Sequence, residues 1–148
     1  MDKCYYTFMK KLLSTLLLSS SLFANTIGLI KTVKGDAQVK RNKKIIKVKA
    51  GYQLQKGDIL ITKKKSSMGV LFSDGTSLAL GSKSVISINK YLFKPTQKKY
   101  NIDINMTKGK ASFSSGKIGQ LAPKSVKFHV PEGIIGIRGT KFLVDIKK

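Results

Sequence analysis

The stretch Val130–Val144, VPEGIIGIRGTKFLV, decides the fold because it joins a turn to an apolar strand and carries a glycine at every third position. These glycines, Gly133, Gly136 and Gly139, do not follow the G-x-G-x-x-G spacing of a dinucleotide-binding turn, and no helical pattern follows them. The spacing and the Gly-Lys-Ser/Thr order of a Walker A loop are also missing. The stretch therefore indicates a turn between β-strands rather than a loop that binds nucleotide phosphates.

The same strand pattern extends through the rest of the chain. Apolar and polar residues alternate without error from Ile102 to Thr107. Turn-forming residues interrupt the alternation at intervals of about eight to twelve residues, as in all-β domains. We therefore expect an all-β domain of many short strands, arranged either as a sandwich or as a solenoid-like stack of coils. The shorter alternating pieces are Leu78/Leu80, Ile86/Ile88, Phe128/Val130 and Phe142/Val144/Ile146.

Glycine and aspartate mark the expected turns, because they tolerate positive φ or bond their own backbone. Asp74-Gly75 predicts a two-residue type I′ turn in a hairpin. Asp36, Asp58 and Asp74 each lie beside a glycine, where an aspartate usually caps the backbone. The other expected turns are Gly35-Asp36, Arg41–Lys44, Lys56–Asp58, Lys108-Gly109, Ser114–Gly116 and Pro131–Gly133.

Two segments interrupt the strand rhythm. Asn89–Lys99 contains Pro95 and ends in lysines, and Ser114–Lys127 contains two glycines and Pro123. We expect both segments to be surface loops, which are common places for a partner to bind.

Four blocks of the sequence resemble, in the same order, the motifs of the FecR domain family. The last block is the Pro-containing turn and the Ile-Gly-Ile-Arg-Gly-Thr-Lys-Phe segment within Val130–Val144. Phe72–Gly81 followed by Ser84–Ile88 resembles the middle motif of the family, and Gly51–Leu60 resembles its "G-x-x-L-x-x-G-D" segment. With Gly35–Val39, the resemblance covers nearly all of the chain after residue 26.

The resemblance implies a solenoid-like β-domain that binds another protein of the cell envelope. The best-known FecR proteins couple outer-membrane transporters to cytoplasmic sigma factors, but this chain has a signal-like segment where their anti-sigma segment and membrane helix would be. It also stops at Lys148, soon after the last motif. The sigma-regulating output is therefore not carried over. The motif residues that take a structural or partner-binding role are Gly133, Gly136, Arg138, Gly139, Thr140, Phe142, Asp74 and Gly75.

Residues 1–24 have the sequence pattern of a secretory signal peptide. Lys10 and Lys11 precede the apolar run Leu12–Phe23, which is too short to cross a bilayer, and Ala24 supplies a small residue at the expected cut. Met9 is an alternative start to Met1. We expect export to the periplasm, cleavage near Ala24 and a single β-domain over residues 25–148.

The formal net charge of +22 is extreme, and removal of residues 1–24 would lower it only to +20. Of the 29 Lys and Arg residues only Arg41 and Arg138 are arginines, and Trp is absent. Lysine attracts phosphate without the bidentate geometry that reads nucleic-acid bases, so a nucleic-acid partner is not expected. An anionic membrane surface, lipopolysaccharide or another polyanion is the alternative partner.

Residues suited to catalysis are few. The chain has one histidine and seven Asp and Glu residues, and its one cysteine, Cys4, lies in the predicted signal peptide. His129 alternates with Phe128 and Val130, so we expect it to point to solvent from a strand, without the second His or carboxylate cluster of a metal site. We expect no enzymatic activity, no metal and no cofactor.

Arg138 is the sharpest candidate for a specific role. Because glycines and an apolar strand surround it, we expect a partly buried guanidinium that either clamps neighbouring strands or binds a partner. Asp58, Asp74 and Asp145 are the candidate acceptors for a clamp. The sequence as a whole predicts an exported, non-enzymatic interaction or signalling module of the cell envelope.

Overall fold

The computed structural model describes residues 25–138 and 141–147 of the chain. Strands account for 63% of these residues, which confirms the all-β prediction. The predicted signal peptide, residues 1–24, lies outside the described residues. The elements are β1 (Thr26–Lys34), β2 (Ala37–Arg41), β3 (Lys44–Lys47), β4 (Gln53–Gln55), β5 (Ile59–Thr62), β6 (Ser67–Phe72), β7 (Ser77–Leu80), β8 (Val85–Lys94), β9 (Lys99–Ser114), α1 (Lys117–Leu121), β10 (Val126–Val130), β11 (Gly133–Gly136) and β12 (Lys141–Ile146).

The strands form one hydrogen-bonded path in the order β3-β2-β5-β8-β9-β7-β6-β1-β4, and β10 and β12 attach to β9. Among the described strands only the β9–β10 pair is parallel, and the sheet curls into a half-barrel. A solenoid would stack its coils in parallel, so the solenoid-like expectation is replaced by a curled antiparallel sheet. Alternation of period two predicts that one face of each strand is buried, but it does not predict how the sheet closes.

Strand β9 is the centre of the sheet because it joins two arms, β3-β2-β5-β8 on one side and β7-β6-β1-β4 on the other. Its first part pairs with β8 and β10, and its second part pairs with β7 and β12. We predicted a turn at Lys108-Gly109, which is wrong: the strand continues and only bends there. Gly109 has φ +97°, and an added Cβ would collide with Ser84, so both the bend and the contact require glycine.

The segment Asn89–Lys99 is not the surface loop that we expected. Strand β8 continues to Lys94, which pairs with Lys99. Only a 3-10 turn at Pro95–Gln97 and Lys98 connects β8 to β9. The lysines and the proline led us to predict a loop where the chain forms a strand. An aromatic pair packs across the hairpin, with the rings of Phe93 and Tyr100 6.1 Å apart.

The hairpin at Asp74-Gly75 is confirmed, but the two-residue type I′ turn is wrong. The Phe72 N–H donates to the Thr76 carbonyl (2.8 Å), so three residues form the loop. Gly75 has positive φ (+87°) and Asp74 does not, whereas a type I′ turn needs positive φ at both central residues. That geometry occurs instead in the β2–β3 hairpin, at Asn42 (+49°) and Lys43 (+66°).

The core lies on the inner face of the half-barrel and includes Ile102, Ile104 and Met106, as their alternation predicted. The motif residue Phe142 fixes β12 to this core. Its ring stacks on Phe113 with centroids 5.2 Å apart and meets Phe128 edge to face at 5.3 Å. Such pairs contribute about 0.5–1.5 kcal/mol each beyond their buried area.

The segment Ser114–Lys127 was expected to be a surface loop and is folded instead. It contains α1 and a 3-10 turn at Pro123–Ser125, and Ile118 is fully buried in the core. The backbone N–H of Lys117 donates to the Asp74 carbonyl, which ties α1 to the β6–β7 loop.

Candidate functional site

Asp58 is fully buried and accepts a two-pronged ion pair from Arg41. Arg41 Nε lies 2.8 Å from Oδ1 and Nη2 lies 2.7 Å from Oδ2, while the Gln55 N–H donates to Oδ2. Nη2 also donates to the Gln53 carbonyl, and the guanidinium lies over the Tyr52 ring, 5.3 Å from its centroid. The hydrogen bonds to Asp58 raise the pKa of Arg41 further. The pair joins the end of β2 to β4 and to the turn between β4 and β5, so its role is structural.

Sequence reasoning missed the role of Arg41, which it placed in a turn. One signal was available. In a chain that uses lysine for almost every cation, an arginine outside the motif indicates a position that needs the planar fork of the guanidinium.

Asp74 is the second buried carboxylate that closes a turn. Oδ1 accepts hydrogen bonds from the Thr76 N–H (3.2 Å) and the Tyr91 hydroxyl (2.9 Å). Oδ2 accepts from Thr76 Oγ1 (2.7 Å) and from the Ile118 N–H (3.1 Å). The prediction that aspartates beside glycines cap the backbone is therefore confirmed for Asp58 and Asp74. The Asp36 carboxylate instead accepts a long bond from Gln38 Nε2 (3.5 Å).

His129 does not point freely to solvent, as we had expected. It is half-buried, and Nε2 lies 3.2 Å from Asp103 Oδ1. Asn89 donates to the same oxygen at 3.2 Å. The sequence could not reveal this contact, because it depends on the parallel pairing of β10 with β9. Within residues 25–138 and 141–147 no group of three or more His, Cys, Asp or Glu side chains could hold a metal ion.

Arg138 is exposed, so the expectation of a partly buried guanidinium is wrong. The three carboxylates that we considered as its acceptors contact other groups. Asp58 binds Arg41, Asp74 holds the loop and α1, and Asp145 lies 3.7 Å from Lys110 Nζ.

Arg138 lies at a groove of about 720 Å³ between the start of β10 and the end of β11. Apolar residues contribute much of the lining, and Ile134 is 61% exposed. Strand β11 pairs with β10 and with no other described strand. We call this surface the motif groove; its lining is Pro123, Lys124, Val126, Lys127, Ile134, Ile135, Gly136, Ile137 and Arg138.

The predicted motif residues that the structure describes lie in three places, one of which is the core contact of Phe142 with Phe113 and Phe128. Gly136 and Arg138 line the motif groove, and Gly133 begins the same strand, β11. Asp74 and Gly75 lie in the β6–β7 loop. A Cβ added at Gly133 or Gly136 would meet nothing within 4 Å, so core packing does not require glycine at either position. Gly139 and Thr140 lie outside the described residues.

The exposed lysines include a dense group at one end of the half-barrel, where four chain segments meet. The Lys63 N–H donates to the Asp36 carbonyl (3.0 Å), and the Lys83 N–H donates to the Lys63 carbonyl (3.1 Å). Gly81 bonds to the Lys110 carbonyl at 2.8 Å, which brings in the bend of β9. We call this surface the basic end; its exposed lysines are Lys34, Lys63, Lys64, Lys65, Lys83, Lys108 and Lys110.

Comparison with known proteins identifies a family. The model of a family described as FecR protein matches residues 58–148, which include β5 to β12 and the motif groove. Neither the curated proteins nor the solved structures contain a significant match. No helix in the described ranges is long and apolar enough to cross a membrane.

Proposed function

Because the chain belongs to the FecR protein family, we propose that it is an exported, non-enzymatic interaction module of the cell envelope. The FecR family is a signalling and regulatory family, and the chain would carry out this role in the periplasm by binding another envelope protein. Cleavage of residues 1–24 near Ala24 would release the β-domain there.

The observation that carries the proposal is the exposure of Arg138 at the motif groove. A guanidinium that faces solvent beside exposed apolar surface is the kind of residue that dominates protein interfaces. The outer edge of β11 could also accept an extended segment of a partner through backbone hydrogen bonds. Lys124 and Lys127 flank the groove, so the complementary partner segment would combine apolar and acidic side chains.

Photo-crosslinking in cells tests this proposal. A photoreactive amino acid at Ile134 should yield a crosslink to one envelope protein. The same amino acid at Leu143 is the matched control, because Leu143 is 79% exposed on β12 and is not part of the groove lining. The Arg138→Ala variant should lose the Ile134 crosslink and keep its melting temperature.

Equal crosslinking from Ile134 and Leu143, or none from either, would overturn the motif groove as the binding site. A melting temperature that falls together with the crosslink in Arg138→Ala would instead favour a structural clamp. Activity of the purified protein as an enzyme would contradict the proposal itself.

The concentration of lysines at the basic end favours a second candidate function, attraction to anionic envelope surfaces such as lipid, lipopolysaccharide or another polyanion. Ionic strength separates the two functions. Polyanion binding should weaken steeply as salt rises, whereas binding through an apolar groove and a strand edge should persist.

A further inference from the structure

The basic end carries positive charge that nearby acids offset only in part. Lys110 lies 3.7 Å from Asp145, and within the part of the chain that the structure describes the other acid at this end is Asp36, which is half-buried. The remaining lysines project from the β1–β2, β5–β6 and β7–β8 turns and from the bend of β9, and all are exposed. Seven cations on four adjoining segments therefore outnumber the two acids and give this end of the sheet a net positive charge.

The backbone holds these four segments in fixed positions relative to one another. Besides the bonds from Lys63 and Lys83, Ser66 Oγ accepts from the Asp36 N–H at 2.8 Å, and Ser84 Oγ lies 3.0 Å from the backbone N of Lys110. Thr62 is also buried at this end, and its hydroxyl donates to the Gly81 carbonyl at 2.6 Å. The lysines thus extend from a rigid platform, so binding does not require the turns to be ordered first.

The placement of the lysines at this end favours a flat surface over a small ligand. The lysines stand on turns at the end of the sheet, and among the described residues no large exposed apolar side chain lies on these turns. A flat anionic surface can contact many such lysines at once, and each lysine near it adds to the attraction. Contact without apolar insertion is also reversible by salt.

We propose that the basic end is a docking site for an anionic phospholipid bilayer, with the turns facing the lipid headgroups. The proposal rests on the second candidate function and adds to it a location and an occupant. With the basic end on the membrane, the β2–β3 and β8–β9 hairpin tips would point away from it, because β8 runs ten residues from the basic end to its tip.

Two triple variants with the same loss of charge test the site. Lys64, Lys65 and Lys83 are replaced by Gln at the basic end, and Lys43, Lys98 and Lys99 are replaced by Gln at the hairpin tips. The sets are matched in backbone conformation as well, because each contains two lysines with positive φ: Lys65 (+54°) and Lys83 (+51°) against Lys43 (+66°) and Lys98 (+51°).

The measurement is co-sedimentation of the purified protein with vesicles of phosphatidylglycerol mixed with phosphatidylcholine, compared with phosphatidylcholine alone. The wild-type protein should bind only the anionic vesicles and dissociate at high salt, since the Debye length falls to about 3 Å at 1 M. The basic-end variant should lose about 100-fold in apparent affinity, and the hairpin-tip variant less than about 5-fold. Circular dichroism and melting curves establish that both variants fold.

Each other result has a distinct meaning. Equal losses in the two variants would overturn the basic end as the site and leave polyanion attraction intact. Binding to soluble polyphosphate without binding to vesicles would overturn the bilayer as the occupant. If the wild-type protein binds neither vesicles nor polyphosphate, the second candidate function fails together with this proposal.

Discussion

Tyr91 and Asp74 are joined by two hydrogen bonds of 2.9 Å that run in opposite directions. The Asp74 backbone N–H donates to the Tyr91 hydroxyl oxygen, and that hydroxyl donates to Asp74 Oδ1. Because Asp74 Oδ2 also accepts from the Ile118 N–H, one side chain connects the β6–β7 loop, β8 and α1. The loop is thereby fixed by groups that lie 17 and 44 residues away along the chain.

Replacing Asp74 by Ala should destabilise the domain by about 2–4 kcal/mol, because the buried Ile118 N–H and Thr76 hydroxyl lose their acceptors. Urea unfolding measures the change in the free energy of unfolding. The control is Asp145→Ala, which removes an exposed carboxylate and should change that free energy by less than about 1 kcal/mol. Similar losses in both variants would show that the buried network contributes no special stability.

Alkaline pH should weaken the same network. Burial, and then the negative charge of Asp74, raise the pKa of Tyr91 well above its usual value of about 10. The folded state therefore binds the phenolic proton more tightly than the unfolded state does. The resulting stability is fully present below about pH 10 and is lost as pH rises above it.

We expect the free energy of unfolding to fall more steeply above about pH 10 in the wild-type protein than in Tyr91→Phe. The variant keeps the ring that stacks on Phe72 at 5.3 Å and lacks the ionisable group. The two proteins differ only at residue 91, so the difference between their pH profiles isolates Tyr91. Parallel profiles would contradict the assignment.

Breaking the ion pair between Arg41 and Asp58 should cost about 3–5 kcal/mol when Asp58 is replaced by Ala, since the guanidinium loses its buried partner. Arg41→Lys should also lower the melting temperature, because an ammonium group cannot bond both carboxylate oxygens and the Gln53 carbonyl in the same geometry. The exposed pair of Lys110 and Asp145 is the comparison, and Lys110→Ala should be nearly neutral. Thermal unfolding of the three variants ranks these effects, and a wild-type melting temperature in Arg41→Lys would refute the need for the planar fork.

Substitution by Ala should lower the free energy of unfolding at one glycine, Gly116, and leave it nearly unchanged at another, Gly136. A Cβ at Gly116 would collide with backbone atoms of Asp74, Gly75 and Thr76, so Gly116→Ala should cost about 1–3 kcal/mol. Gly136 has open space around it, so Gly136→Ala should change stability by less than about 0.5 kcal/mol. Chemical unfolding of both variants checks the order, and an equal cost at the two positions would be inconsistent with the packing.

Export should leave Asn25 as the first residue of the native protein, because Ala24 ends the signal-like segment. Cell fractionation with N-terminal sequencing and intact mass measures this directly. Recovery of the uncut chain from the cytoplasm would exclude the periplasmic location and remove the basis of both candidate functions.

The sequence predicts the strand faces well and the connections between strands less well. Ile102, Ile104 and Met106 are buried as their alternation indicated, since a strand with one buried face repeats every two residues. The turn at Asn42-Lys43 has the type I′ geometry that we assigned to Asp74-Gly75. The sequence did not indicate this, because lysine rarely adopts positive φ.

The candidate site depends on distance in space, and the sequence contains little of that information. Neither the contact of His129 with Asp103 nor the pairing of Arg41 with Asp58 follows from local patterns, because both require strand order and register. Arg138 was singled out by its neighbours in sequence, but its exposure depends on how β11 lies against β10. The family resemblance singled out this segment but did not predict which side of it faces solvent.

The position of β9 between both arms of the sheet has a consequence for how the chain acquires its structure. Strands β7 and β8 precede β9 and cannot complete their pairing until residues 99–114 are available, while β10 and β12 follow it. Such non-local pairing slows folding and favours a single cooperative transition over independent folding of each arm. A chain that crosses a membrane from its N-terminus would therefore stay unfolded until most of it has emerged, which is the state that passage through a narrow export channel requires.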